Sequence, residues 1–278
     1  MKISKITTQK NRKDRFNIFT DENGYEEYAF SVDENVLVKF QLKKGSTITK
    51  AEKVEILQAD QQRKAFNDAI YYLTHSMRTE YQIKQYLIKK EYNEGVIEEA
   101  IRKMKEYQYI DDKEFAMAFV RTKIKTTDKG PAIIKEELFQ KGISSETAEK
   151  ALLQFTLKAQ LEAAQTFLQK KGKQKQNESA SSMKKRLLDR LLQKGFSLEI
   201  ALQAWENEHL EVSQEEELKA LRLQGEKAKK KFKNKYSGKN LEMKIKEFLY
   251  RKGFPIPLID NYLQGTELLE DEDDGKKI

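Results

Sequence analysis

The chain of 278 residues has no cysteine, which excludes disulfides, thiol catalysis and thiolate metal sites. Its two histidines, His75 and His209, are far apart, and neither has a second histidine or a cysteine at ligand spacing, so no metal centre is expected. No glycine-rich loop ends in Gly-Lys-Ser or Gly-Lys-Thr, which argues against ATP binding through a P-loop. No apolar run approaches the roughly 20 residues of a membrane span. The start, Met1-Lys2-Ile3-Ser4, lacks the apolar stretch of a signal peptide. These absences predict a soluble, cytoplasmic protein with no cofactor.

Charge is abundant instead. Residues of the DEKR set make up 35% of the chain and hydrophobic residues 38%, enough for one long array or two domains with small cores. A net charge of +8 and a pI near 9.2 favour an acidic partner, with nucleic acid the leading class.

Residues 1 to 42 read as strands, because Ile3, Phe16, Ile18, Tyr28, Phe30, Val36, Val38 and Phe40 are spaced by two within their runs. Asn11-Arg12-Lys13 and Asp21-Glu22-Asn23-Gly24 supply turns, and Lys43-Lys44-Gly45-Ser46 ends a fourth strand. From Thr49 the period becomes helical. Thr79 with Gln82 forms a capping box, and Val96, Ile97, Ala100, Ile101 and Met104 make one buried stripe.

One helix ending recurs. Leu138-Phe139-Gln140-Lys141-Gly142-Ile143 is echoed by Leu191 to Phe196 around Lys194-Gly195 and by Leu249 to Phe254 around Lys252-Gly253. A weaker copy, Leu87 to Tyr92, has Glu91 in the glycine slot. By subtraction, successive copies lie 51, 53 and 58 residues apart, a period that suggests tandem helical units. Asp111 or Asp112 can cap the helix that follows, Gly130 permits an unusual backbone angle, and Pro131 suits a first helical position. The expected fold is mainly α: an elongated array of tandem three-helix repeats behind a small N-terminal antiparallel β domain. Its expected parts are a β-rich domain with a short linking helix (1–58), repeats at 59–110, 111–156, 157–210 and 211–265, and an acidic disordered tail (266–278). The polar stretch from Lys170 to Ser182 is expected to be exposed and mobile.

These motifs resemble one family. Arg78-Thr79-Glu80, then Tyr109-Ile110-Asp111-Asp112 with Phe115-Ala116, then Lys129-Gly130-Pro131 and Leu138 to Ile143 occur in the order found in the RecX family of RecA regulators. The resemblance is sharp over residues 60 to 156 and looser beyond, in the manner of longer members with an N-terminal β extension and an extra C-terminal helical unit. It implies a non-enzymatic protein that binds RecA and the RecA–DNA filament and modulates ATPase, strand-exchange and coprotease activities, with inhibition the expected direction.

Little in the residues suggests chemistry. Asp111-Asp112 could hold Mg²⁺ for a nuclease, although helix capping explains the pair with fewer assumptions. Ser181-Ser182-Met183-Lys184 has the form of a Ser-x-x-Lys motif without its companions. A free-standing architectural DNA-binding protein and a metal-dependent nuclease are the alternative readings. Cations are the candidates for contact with RecA or with single- and double-stranded DNA. They are Arg63, Arg78, Lys89 and Lys90; then Arg121, Lys123, Lys125, Lys129, Lys135 and Lys141; then Arg186, Arg190 and Lys194. The last repeat adds Lys229, Lys230, Lys231, Lys233, Arg251 and Lys252, with Phe232 and Tyr236 available to stack on bases. The chain is expected to act as a monomer, with its acidic tail folding back on the lysine run.

Overall fold

Alternating residues at the start of the chain build a three-stranded antiparallel sheet, β1 (Lys2–Thr8), β2 (Arg15–Glu22) and β3 (Tyr25–Asp33), in that spatial order. Ile6 lies opposite Ile18, and Ile18 opposite Phe30, so one face carries a continuous apolar ladder. The computed structural model describes residues 1–22, 25–208, 210 and 213–265. The Asn23-Gly24 turn signal, His209 and the acidic tail lie outside the described residues.

The expected fourth strand is a helix, α1 (Glu34–Lys39). The Asp33 carboxylate accepts the Asn35 N–H at 2.9 Å and caps it. Val36 and Phe40 are two steps of a strand pattern but also four apart on a helix, and the Phe40 N–H donates to the Val36 carbonyl at 3.0 Å. Val38, which a strand would have turned to the same face as Val36, is 65% exposed.

The helix α2 (Lys50–Leu73) follows, opened by a full capping box between Thr49 and Glu52. Its first half lays Ile56 on the sheet core with Ile3, Ile18, Phe30, Val32 and Val36. Its second half supplies Ala65, Phe66 and Ala69 to the next core, so α2 is the first helix of the first repeat as well. The remaining helices are α3 (Glu80–Lys89), α4 (Glu94–Glu106), α5 (Asp112–Thr126), α6 (Pro131–Gln140), α7 (Ser145–Leu152), α8 (Leu157–Lys171), α9 (Ala180–Gln193), α10 (Leu198–Glu208), α11 (Gln214–Phe232), α12 (Gly238–Arg251) and α13 (Ile256–Leu263). They continue the three-helix rhythm. The chain divides into two units, Met1–Phe119 with Lys135–Leu152, and Val120–Ile134 with Leu153 onward.

The recurring ending is a Schellman cap in all four copies. The N–H groups of Tyr92, Ile143, Phe196 and Phe254 reach back to the carbonyls of Leu87, Leu138, Leu191 and Leu249 at 3.3, 3.1, 3.1 and 3.3 Å. The residue before each has a left-handed backbone: Glu91, Gly142, Gly195 and Gly253, with φ of 63°, 81°, 89° and 85°.

Three of these caps plug into the start of the middle helix of the preceding repeat. In the first unit the buried Thr79 hydroxyl, which caps α3, donates to the Lys141 carbonyl at 2.6 Å, and Gly142 lies against Tyr81. In the second unit the Gly130 N–H, before α6, donates to the Lys194 carbonyl at 2.7 Å, while Ser179 and Ser182, at the start of α9, both donate to the Lys252 carbonyl at 2.6 Å. A Cβ on Gly142 would lie 2.2 Å from the Tyr81 Cβ, and one on Gly195 would lie 2.6 Å from the Ile133 backbone nitrogen. Glycine is therefore needed twice over, for backbone angle and for approach. No repeat precedes the first one, and there Glu91 is exposed and keeps its side chain.

A carboxylate completes two of the three joints. Asp112 on α5 accepts the Glu80 N–H at 2.9 Å, and Glu217 on α11 accepts the Ala180 N–H at 2.8 Å, each capping a helix of the preceding repeat. Burial pushes both carboxyls above their ordinary values, against the pull of those N–H groups. At the third joint the matching residue is Pro131, which has no N–H to satisfy.

Candidate nucleic-acid interface

The paired carboxylates considered for metal binding are committed to helix capping. Asp111 caps α5 by accepting the Lys113 and Glu114 N–H groups at 2.8 and 3.0 Å, whereas Asp112 caps α3. The two carboxylates thus serve two different helices. Of the Ser-x-x-Lys pair, Ser181 is exposed in the first turn of α9 and Lys184 lies over the Trp205 ring at 5.7 Å, while the intervening Ser182 is a joint donor. His75 is exposed and meets the Tyr71 ring edge-on at 5.4 Å. No group of three or more metal-binding side chains occurs among the described residues.

The candidate cations fall into two groups. Several are occupied within the fold. Arg186 makes a twofold bond to Glu178, at 2.6 and 2.8 Å, and this helps pin the 172–179 loop. Gln224 adds a bond to the Asn177 carbonyl at 2.7 Å. The stretch expected to be mobile is thus tied to α9 and α11. Lys135 pairs with Glu149 at 2.7 Å, Lys90 with Asp68 at 3.8 Å, Lys229 with Glu226 at 3.0 Å and Arg63 with Asp33 at 3.5 Å. Arg78 covers the Tyr72 ring at 4.5 Å, and Tyr72 stacks on Tyr86 at 4.3 Å.

The lysines of the three joint caps share one arrangement. Each gives its carbonyl to the joint and lays its ammonium over a phenylalanine ring: Lys141 over Phe119 at 5.5 Å, Lys194 over Phe167 at 5.1 Å, Lys252 over Phe248 at 5.7 Å. Their recurrence follows from the joint, and contact with a partner is not needed to explain it.

A second group faces solvent. Lys89, Lys125, Arg190, Lys230 and Lys233 are exposed with no carboxylate within 4 Å among the described residues, and Arg251 is also exposed. Lys231 is exposed above Phe232 and Phe248, at 5.4 and 5.7 Å. Phe232 is half-buried against Phe248, so of the two aromatic residues in the lysine run only Tyr236 has an exposed ring. Arg121, Lys123 and Lys129 interact within the fold.

The structure brings Lys125 and Lys129 together with two lysines that sequence reasoning did not select. Lys170 and Lys171, in the last turn of α8, line the same 660 Å³ cleft as the α5–α6 connection. Their position at the edge of a polar stretch gave no periodic signal. Asp128 also lines the cleft, but its carboxylate is held by Lys194 at 2.6 Å, and that hydrogen bond keeps its pKa below the ordinary value.

Relatives share this order of parts. Residues 1–49 match the Regulatory protein RecX N-terminal domain, 65–104 the first RecX three-helix domain, 111–152 the second and 215–263 the third. Residues 153–214, which carry α8 to α10, lie between the second and third matches. The chain is 40% identical to the Regulatory protein RecX of Halalkalibacterium halodurans over 261 residues, which cover 94% of this chain and 98% of that protein. It is 40% identical to the Regulatory protein RecX of Bacillus subtilis over 266 residues, with 95% and 98% covered. A crystal structure of regulatory protein RecX superposes with a TM-score of 0.65 at 38% identity, covering 76% of this chain and 99% of that one. A RecX structure from Lactobacillus salivarius gives 0.53 at 34% identity, covering 55% and 99%. With the N-terminal domain, the order of three-helix domains and nearly a full length in common, the chain belongs to the RecX family.

Proposed function

We propose that this protein binds RecA and the RecA–DNA filament as a cytoplasmic monomer and restrains ATP hydrolysis, strand exchange and coprotease activity by binding alone, with no chemistry of its own. The observation that carries this reading is the end-to-end match to relatives named as regulatory proteins, 40% identical over 94% of the chain. The fate of the paired carboxylates supports it: Asp111 and Asp112 are held in the caps of two different helices. Exposed lysines and arginines, Lys89 in the first unit and Lys125, Arg190, Lys230, Lys233 and Arg251 in the second, offer many weak contacts rather than one dominant site. Such contacts add through effective concentration, so binding along a polymer gains strength without a single anchoring residue.

The reading is tested by adding the protein to RecA on single-stranded DNA and following ATP hydrolysis at two salt concentrations. Inhibition at a dose near one protein per several RecA subunits is expected at both. If inhibition appears only when the protein is in excess over DNA sites and vanishes at the higher salt, competition for DNA explains it and the filament reading fails.

A further inference from the structure

We propose that the cleft between the α5–α6 connection and the end of α8 is a phosphate-binding site for the nucleic-acid backbone. This inference rests on the nucleic-acid part of the proposed function and names where that contact is made.

Three lysines carry the argument. Lys125, Lys170 and Lys171 are exposed, line or border one 660 Å³ concavity, and have no carboxylate within 4 Å among the described residues. Lysines near helix C-termini are favoured by the helix dipole, and that alone could place one at each end. Here the ends of α5 and α8 meet in one cleft, and together they contribute about one unit of negative charge. The single lining carboxylate, Asp128, is already neutralised by Lys194. Lys125, Lys170 and Lys171 outweigh both, so the concavity is cationic. A concave, low-dielectric wall concentrates that field.

The remaining lining decides what kind of anion fits. Thr126, Thr127 and Thr166 spend their hydroxyl protons on backbone carbonyls of their own helices, so they add no free donors to read a base edge. Phe167 is buried and Lys194 covers its ring, so no aromatic face is open for base stacking. Flexible ammonium groups without ring or fork suit phosphate oxygens at variable geometry. The cleft therefore engages phosphates without regard to base sequence.

The test uses the full-length protein and a labelled mixed-sequence single-stranded oligonucleotide, with affinity measured across a series of KCl concentrations. Removing one lysine–phosphate pairing on a single strand makes the slope of log K against log salt shallower by roughly 0.7. Lys125→Ala, Lys170→Ala and Lys171→Ala combined should flatten the slope by about 2 and weaken binding on the order of ten- to a hundredfold at low salt. The corresponding Lys→Arg triple should keep the wild-type slope. Scrambling the oligonucleotide sequence should leave affinity unchanged. A wild-type slope in the alanine triple, with an unchanged circular dichroism spectrum, overturns the proposal, as does a loss confined to a polyglutamate probe. If the slope is unchanged while RecA ATP hydrolysis is still inhibited, only the cleft is wrong. If the slope flattens while RecA is unaffected, the cleft stands and the filament reading falls.

Discussion

Gly195→Ala is expected to cost about 2–5 kcal/mol, far more than a methyl group usually does. Two effects add. Alanine in the left-handed region carries a penalty of about 1–2 kcal/mol. Its Cβ would also stand 2.6 Å from the Ile133 backbone nitrogen and 2.9 Å from the Ile133 Cγ1, and backbone cannot rotate away as a flexible side chain can. Relief would require lifting the α9 cap off the start of α6, which breaks the bonds from the Gly130 N–H to the Lys194 carbonyl and from the Ala132 N–H to the Gly195 carbonyl, 2.7 and 3.1 Å. Gly265→Ala is the control: its φ is +68°, but nothing lies within 4 Å of a new Cβ, so only the backbone penalty applies. Urea unfolding followed by Trp205 fluorescence measures both, since the single tryptophan sits on α10. Equal losses for the two variants would show that the joint contributes nothing beyond its backbone angle.

Asp60→Ala is expected to be comparably severe, at about 3–5 kcal/mol, for an electrostatic reason. Arg15 and Asp60 are both buried, with side chains 4% and 3% exposed, and they meet through two hydrogen bonds of 3.1 and 2.9 Å. Asp60 also accepts the Asp33 N–H at 2.8 Å, and Arg15 donates to the Ser31 carbonyl at 3.2 Å. The group thus fastens β2 and the end of β3 to α2. Removing the carboxylate strands a guanidinium out of water. Replacing both partners with Arg15→Met and Asp60→Leu should recover most of the loss, because the pair's attraction largely offsets its own desolvation. Hydrogen exchange at the Phe30 and Val32 amides reads the effect locally. If the double variant is as unstable as the single one, the pair holds the sheet through geometry that leucine and methionine cannot reproduce.

The Lys-Gly endings were legible because two demands fall on one residue, a left-handed angle and close approach, and only glycine meets both. The same logic explains the exception at Glu91, which has the angle without the approach. Pro131 was legible as a helix start for a related reason. Asp112 was less so: its charge and place beside Asp111 suggested capping, but the helix it caps is α3, and only tertiary structure shows that. Glu217 gave no signal at all, since it sits in the run Glu215-Glu216-Glu217, which reads as a solvated first turn. The period-two run Val36 to Phe40 was too short to separate strand from helix, and the cap at Asp33 decided it. For the interface, counting cations could not distinguish Lys125, which is exposed, from Arg186, which is bound to Glu178. Nor could it foresee that Lys170 and Lys171 would join Lys125 from the far side of a cleft.

The most direct measurement is co-sedimentation with preformed RecA filaments on single-stranded DNA, held assembled by a non-hydrolysable ATP analogue. The salt concentration is chosen so that this protein no longer binds naked DNA. The account predicts that the protein pellets with the filaments and saturates at a fixed ratio to RecA. Protein that stays in the supernatant at a stoichiometric dose, while binding naked DNA normally at lower salt, would contradict it.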